Sequence, residues 1–351
     1  MSLIDNDIYF SDVKSVCALN LPWQKLAGKL MLISGAAGMI GSCLIDVLMQ
    51  KNKDGLDCKV YALGRDAAKA RSRFGYHYDS ANFEFIQYDI NKPLACDFGR
   101  IDYILHLASN THPVAYSGDP IGTITTNIIG TNNLLKYAVE HRTERFMFAS
   151  SVEIYGENRG DVEKFDESYS GYIDCNTLRA GYPESKRCGE ALCHAYKRRY
   201  GLDVVIPRIS RVYGPTMLMS DAKASSQFIL KAAAGEDIIL KSSGEQLYSY
   251  SYVADAVSGL LTVLLKGESG EAYNIADEHS DIRLKDFARL CAEAAGTRVV
   301  FDIPDADEAV GYSKATVALL DNKKLKSLGW QAKTDYKSGI EKTVKLLKSN
   351  T

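Results

Sequence analysis

Between Lys29 and Ser210 the chain alternates short, almost wholly apolar runs with longer stretches whose apolar residues recur every three or four positions. The runs "KLMLIS", "CKVYAL", "FEFIQYDI", "IDYILHLAS", "RFMFASS" and "LDVVIPRIS" are short and nearly continuous, as expected of strands buried on both faces. The intervening "GSCLIDVLMQK", "NIIGTNNLLKYAVEH" and "YPESKRCGEALCHAYKRRYG" read as helices. Six strands separated by helical periods predict an α/β fold built on a doubly wound parallel sheet. After about Pro207 the rhythm changes to mixed helices, short strands and polar loops, and "LDNKKLKSLGW…KSGIEKTVKLLKSN" closes the chain as two helices. The pattern therefore divides into an N-terminal extension (1–28), a sheet domain (29–206) and a smaller C-terminal lobe (207–351). That lobe is expected to be partly interleaved with the sheet domain.

Composition narrows the function classes. With 351 residues and 46% hydrophobic content the chain can bury a large core. Its 42 basic and 44 acidic residues leave a formal net charge of -2, so no bulk field favours nucleic acid or an anionic membrane. No run approaches the roughly 18 apolar residues of a membrane span. "MSLIDNDIYFSDVK" lacks the basic and apolar regions of a secretory signal. Eight cysteines occur without a C-x-x-C pair, which fits reduced thiols in a cytoplasm better than a disulfide framework or a metal site.

"KLMLISGAAGMIGSCLI" places Gly35, Gly38 and Gly41 between a strand and a helix. Such a turn lets backbone approach a pyrophosphate, and the helix N-terminus offers N–H groups to it. The bland alternative is a packing turn, but the flanking elements favour a Rossmann-type NAD(P) site. An acid normally ends the second strand when the cofactor is NAD. Here "VYALGRD" presents Gly64 and Arg65, with Asp66 late, which leans to the 2′-phosphate of NADP; alternatively Arg65 is a solvated surface residue. Asp89 is placed to meet the adenine amino group or, failing that, to cap the next turn.

"YPESK" puts Tyr182 and Lys186 on one helical face. A lysine ammonium favours a phenolate, and a phenolate can take a hydroxyl proton while hydride leaves the same carbon. Ser151 precedes this pair and follows a strand of the same sheet, where ligands of such folds bind. Glu153, two residues beyond Ser151 in "ASSVEIYG", is either a working carboxylate or a residue that caps a helix or pairs with an arginine.

In "GAAGMIG", "YDI", "HLAS", "TTNIIGTNNLL", "ASSVEIYG", "YPESK", "PRISRVYGP" and "YSYVADAV" the chain resembles the extended short-chain dehydrogenase/reductase family, in its nucleotide-sugar epimerase/dehydratase branch. The resemblance implies that Ser151 hydrogen-bonds the reacting oxygen. It makes Tyr182 the acid/base and gives Lys186 the tasks of lowering the tyrosine pKa and holding the nicotinamide ribose. Gly35, Gly38, Met39, Ile40, Gly41, Arg65, Asp89, Ile90, Leu107, Ala108 and Ser109 would complete the cofactor site. His112, Tyr116, Arg179, Arg211 and Tyr248 would face a nucleotide sugar. His106 reads as a buried, satisfied histidine.

In 4-epimerases of this family the position of Glu153 is normally uncharged, whereas 4,6-dehydratases and UDP-glucuronate decarboxylases carry glutamate there. "GYIDCNTLRAGYPESKRCGE" and "YGPTMLMSDAKASSQFIL" look most like the decarboxylases. Val152 stands where 4,6-dehydratases use an aspartate, which counts against dehydration. Arg211 replaces the usual asparagine and Tyr248 the usual arginine, so Arg211 is expected to supply the displaced charge. The implied function is C4 oxidation of a nucleotide sugar, most like a UDP-glucuronate decarboxylase. A 4-epimerase or an NADP-dependent ketoreductase is the alternative within the class, and an idle NAD(P)-binding scaffold is the alternative outside it. A homodimer is expected through the helices around 127–141 and 182–200, on the spacing of Leu134, Leu135, Ala138, Ala191, Leu192 and Ala195.

Overall fold

The computed structural model describes residues 2–93, 99–111, 118–303 and 316–348. The strands are Leu30–Ser34 (β1), Lys59–Gly64 (β2), Phe83–Gln87 (β3), Tyr103–His106 (β4), Arg145–Phe148 (β5), Ser150–Ser151 (β6), Val204–Ile209 (β7), Arg211–Tyr213 (β8), Ile238–Leu240 (β9), Leu247–Tyr252 (β10), Ala272–Ile275 (β11), Asp281–Arg283 (β12), Val299–Phe301 (β13) and Val317–Ala318 (β14). The helices are Asp7–Cys17 (α1), Met39–Lys53 (α2), Ala67–Phe74 (α3), Pro120–Thr125 (α4), Thr131–Glu140 (α5), Gly181–Tyr200 (α6), Ala224–Ala233 (α7), Val253–Lys266 (α8), Leu284–Ala295 (α9), Lys323–Ser327 (α10) and Tyr336–Lys348 (α11).

Seven strands lie in the order β3-β2-β1-β4-β5-β7-β11, all parallel, and β6 adds to β7. Met31, Leu32 and Ile33 of the central β1 are wholly buried, so both faces of the sheet are covered and the apolar run is continuous. The order reverses beside β1, where the chain crosses from one side of the sheet to the other; in sheets of this kind the ligand crevice lies there, at the strands' carboxyl ends. β11 joins this sheet from beyond residue 207. The rest of the C-terminal lobe holds a sheet ordered β12-β10-β14, with β8 also on β10, and the pair β9-β13.

Two local departures from the sequence pattern shape the crevice. The run 145–151 is not one strand. β5 stops at Phe148, Ala149 still donates its N–H to the His106 carbonyl, and β6 pairs instead with Arg208 and Ile209 of β7. The stretch from Asn127 is not a plain α-helix either. Thr126–Gly130 forms a π turn between α4 and α5. Buried Asn127 donates to Ser185 Oγ on α6 at 2.9 Å, and Thr131 Oγ1 donates back to the Asn127 carbonyl at 2.6 Å. A wider turn of this kind marks functional stretches more often than chance.

The N-terminal extension is part of the core. α1 packs against α2 and α8 and buries Tyr9, Val13 and Val16. The Tyr9 hydroxyl donates to Asp46 Oδ2 on α2 at 2.5 Å. Asp46 also receives Arg73 Nη2 and the Tyr76 hydroxyl, both at 2.7 Å, and contacts His77 Nε2 at 2.9 Å. Burial pushes this carboxyl up, but Arg73, His77 and Tyr9 outweigh it and leave it below its ordinary range. Asp12 joins the two ends of the chain, accepting from Tyr252 Oη at 2.6 Å and Lys342 Nζ at 2.8 Å. No helix among the described residues is long and apolar enough to cross a membrane.

Candidate active site

The cofactor cradle is set by what cannot fit. A Cβ at Gly35, whose φ is +72°, would stand 2.6 Å from the Ala108 nitrogen, and one at Gly41 would stand 2.6 Å from the Gly35 carbonyl oxygen. These two glycines are demanded by packing of the turn against β4 and α2. Gly38 differs. It is the N-cap of α2, no side chain caps that helix, and its Cβ would approach only the Gly35 oxygen, at 3.2 Å. The first turn around Met39 and Ile40 thus presents an uncapped N-terminus to the crevice, which fits a dinucleotide pyrophosphate. Leu107, Ala108 and Ser109 follow β4 along the same edge. Leu107 N–H donates to the Ser34 carbonyl at 3.1 Å, and Ala108 N–H to Ser34 Oγ at 3.4 Å. His106 is wholly buried between Ser34 Oγ at 2.8 Å and Thr131 Oγ1 at 3.0 Å, and burial pushes its pKa down to about 3. It is the satisfied core histidine read from the sequence.

At the ribose corner Arg65 is exposed, while Asp66 caps α3 by accepting from Lys69 N–H at 2.9 Å. The Asp66 carboxylate is therefore already engaged away from a ribose. Asp89 accepts from Asn91 N–H at 3.0 Å, the turn-capping alternative weighed for it, and Ile90 is buried against Gly130.

Tyr182 and Lys186 both point from the start of α6 into the protein. Gly189 lets this helix sit close over β5, since a Cβ there would come 2.3 Å from the Phe148 ring. Lys186 is 3% exposed, lies over the same ring at 4.7 Å and donates to the Ala149 carbonyl at 2.8 Å. Burial pushes its pKa down to about 7, against an upward pull from Glu190. Burial also pushes the Tyr182 phenol up, to about 12, although Ser151 hydrogen-bonds it and favours the phenolate. Ser151 and Tyr182 thus meet as expected. In the chain alone Lys186 is turned to the Ala149 carbonyl.

Glu153 lies in the turn that follows β6, its N–H bonded to Ser151 Oγ at 3.3 Å. Two arginines reach its carboxylate from separate elements: Arg211 Nη2 to Oε1 at 3.1 Å and Arg179 Nη2 to Oε2 at 3.4 Å. Arg211 stacks its guanidinium on the Tyr248 ring at 3.6 Å. The parallel register of β8 and β10 sets Arg211 opposite Tyr250, and Tyr248 is the neighbouring residue on the same face of β10. Arg211 Nη1 is buried with no hydrogen-bond partner among the described residues. The arginine-pairing alternative raised for Glu153 is thus met, at a mouth where positive charge exceeds negative. His112 and Tyr116 lie outside the described residues.

Sequence reasoning missed the carboxylate behind the site. Glu190 is buried two turns after Tyr182 and grips Arg208, with Nε at 3.1 Å and Nη2 at 2.7 Å. Ser150 Oγ also donates to it. The signal available was an acid four residues after Lys186, on the same helical face.

A model of the NAD dependent epimerase/dehydratase family matches residues 31–276. The chain is 34% identical to UDP-glucuronic acid decarboxylase 1 of Xenopus tropicalis over 318 residues, covering 90% of this chain and 71% of that protein. It is 32% identical to UDP-glucuronic acid decarboxylase 6 of Arabidopsis thaliana over 315 residues, covering 88% and 86% of the two chains. Among solved structures, dTDP-glucose 4,6-dehydratase from Streptomyces venezuelae with NAD bound superposes with a TM-score of 0.78 at 25% identity, covering 92% of this chain and 97% of the other. UDP-glucose 4-epimerase from Thermotoga maritima with UDP-glucose gives 0.77 at 25% identity, covering 92% and 99%.

Proposed function

The chain belongs to the NAD dependent epimerase/dehydratase family, and from that premise we propose that it is a UDP-glucuronate decarboxylase acting through oxidation at the sugar C4. Its curated relatives in Xenopus and Arabidopsis carry that name. The observation that carries the reading is Glu153, two residues past the Ser151–Tyr182 contact, with its carboxylate at a mouth lined by Arg179 and Arg211.

The cradle of Gly35, Gly38 and Gly41, the Leu107–Ser109 edge, Tyr182 and Lys186 would hold the dinucleotide. Bound there, that cofactor supplies an acceptor for the C4 hydride. Tyr182 takes the C4 hydroxyl proton, Ser151 hydrogen-bonds the same oxygen, and a charged Lys186 favours the phenolate. A C4 ketone makes the C6 carboxylate that of a β-keto acid. The C5–C6 bond then breaks, carbon dioxide leaves, and its electron pair passes to the C4 oxygen as an enolate. Glu153 handles the proton that C5 regains, and Tyr182 returns its proton as C4 is reduced again. Arg211, with one amino group unpartnered among the described residues, and Arg179 can turn to an anionic substrate and free Glu153.

Incubation with a panel of nucleotide sugars, read by mass spectrometry, tests this. Loss of carbon dioxide from UDP-glucuronate is the expected result. A product of unchanged mass would replace the reading by 4-epimerisation, which gains support from the engagement of Glu153 by two arginines. Loss of water would mark a dehydratase, gain of two hydrogens a reductase, and no product with any sugar a binding scaffold.

The exposed Arg65 and the engaged Asp66 support NADP at the ribose corner. Comparing NAD and NADP affinity in Arg65→Ala tests this, and equal losses for both would remove the preference. A homodimer gains support from the exposed Ala191 and Ala195 on α6 and from Ile129, 44% exposed on the π turn. Leu134, Leu135 and Ala138 do not contribute, because all three are buried in the protomer's own core. Light scattering at micromolar concentration checks the state. The seven described cysteines are free thiols, which supports a cytoplasmic setting.

A further inference from the structure

Glu190 is a buried charge that the chemistry above leaves unused, and its surroundings give it a task. It lies one turn beyond Lys186 on the same face of α6. Arg208 donates to both of its oxygens, at 3.1 Å and 2.7 Å, and Ser150 donates its hydroxyl to one of them. Arg208 is anchored in turn on the Tyr155 hydroxyl at 3.0 Å and the Glu167 carbonyl at 2.7 Å. Glu190 and Arg208 thus form a buried ion pair. Ser150, its third partner, sits between Ala149, whose carbonyl receives Lys186 Nζ, and Ser151, which bonds Tyr182.

The groups facing the Lys186 ammonium come from three elements. Glu190 and the buried Cys193 thiol share its helix, the Phe148 ring comes from β5, and His106 comes from β4. Burial holds the Cys193 thiol protonated and His106 neutral. Glu190 is then the one carboxylate among these neighbours. A buried ammonium with a depressed pKa needs such a partner to stay charged.

We propose that Glu190, clamped by Arg208 and Ser150, is the counter-ion that keeps Lys186 charged and positions the Ala149–Ser151 strand end around it. Glu190 is a positioning residue in this scheme, since it acts on the reaction only through Lys186 and Ser150. The assignment rests on the reading that Lys186 must carry charge for Tyr182 to act as a base.

Lysine labelled with carbon-13 at Cε, in the NAD-loaded chain, gives the direct test. The Lys186 signal is identified by its loss in Lys186→Arg. In Glu190→Gln, which keeps shape and polarity, its titration midpoint should fall by about one pH unit or more, because an opposite charge one helical turn away is gone. The alkaline limb of turnover should move to lower pH with it. An unmoved midpoint overturns the assignment and leaves Glu190–Arg208 as a brace. Should Glu190→Gln fail to fold, Glu190→Gln/Arg208→Met removes both charges and must still lower the midpoint. A chain inert toward every nucleotide sugar but with the shifted midpoint would sink the proposed function alone. A working decarboxylase whose Lys186 midpoint stays put would sink the counter-ion alone.

Discussion

Glu153 and Glu190 flank the same strand end and are held in opposite ways. Glu190 is buried, takes a two-point grip from Arg208 and a hydroxyl from Ser150, and belongs to a network reaching Tyr155 and Asn274. Glu153 is 25% exposed on its side chain and has one hydrogen bond from each of two arginines, at 3.1 Å and 3.4 Å. Ion pairs open to water contribute little stability and exchange partners at small cost. A buried pair costs several kcal/mol when one member is removed, because the other is left uncompensated. The inner carboxylate therefore serves fixed geometry, and the outer one is available for exchange with a ligand.

The largest effect should come from the group both carboxylates surround. Tyr182→Phe should cut turnover by about 10²–10⁴-fold while leaving cofactor affinity near wild type, because the ring still packs and only the proton carrier is gone. Steady-state rates and cofactor titration check this, and near-normal turnover would remove Tyr182 from the chemistry. Next, Arg208→Leu should lose about 3–5 kcal/mol of unfolding free energy in a urea titration. A loss under about 1 kcal/mol would mean that Glu190 is no more committed than Glu153, and the contrast would collapse.

Lys186→Met should raise the melting temperature of the cofactor-free chain at pH 7, by at least about 2 °C. The sign follows from the depressed pKa. An unfolded lysine takes up its proton near pH 10.5 and the folded one only near 7, so stability falls as pH drops through that window and stays low below it. Calorimetry on the two chains decides it, and a lower melting temperature for the variant would contradict the burial cost. The smallest stability effect belongs to the mouth. Arg211→Gln should change unfolding free energy by less than about 1 kcal/mol yet weaken nucleotide-sugar binding in calorimetric titration. Unchanged binding would make the Arg211–Glu153 pair ornamental to the site.

What could be read in advance and what could not divide along a physical line. The parallel strands were legible because burial on both faces leaves an unbroken apolar run, as in Met31–Ile33. Tyr182 and Lys186 were legible because helical spacing alone puts them on one face. The grip of Arg208 on Glu190 was not, since it joins residues 18 apart on different elements. The four partners of Asp46 come from α1 and from the α3 region, and no local period announces them. The π turn at 126–130 answers to Ser185, 58 residues beyond Asn127. The core role of α1 was hidden because its buried face includes Asp12, a polar residue that reads as surface until its distant partners are known.

Asp12 also bears on the order in which the protein can be finished. Its partners Tyr252 and Lys342 lie 240 and 330 residues later in the chain. α1 is therefore made well before either partner: the Tyr252 bond waits for the segment that leads into α8, and the Lys342 bond for the middle of α11. Contacts of such long sequence separation form late and slow folding. The apolar face of Tyr9, Val13 and Val16 thus precedes its last polar tie along the chain, and α11 is the element that latches the outer support of the cofactor helix in place.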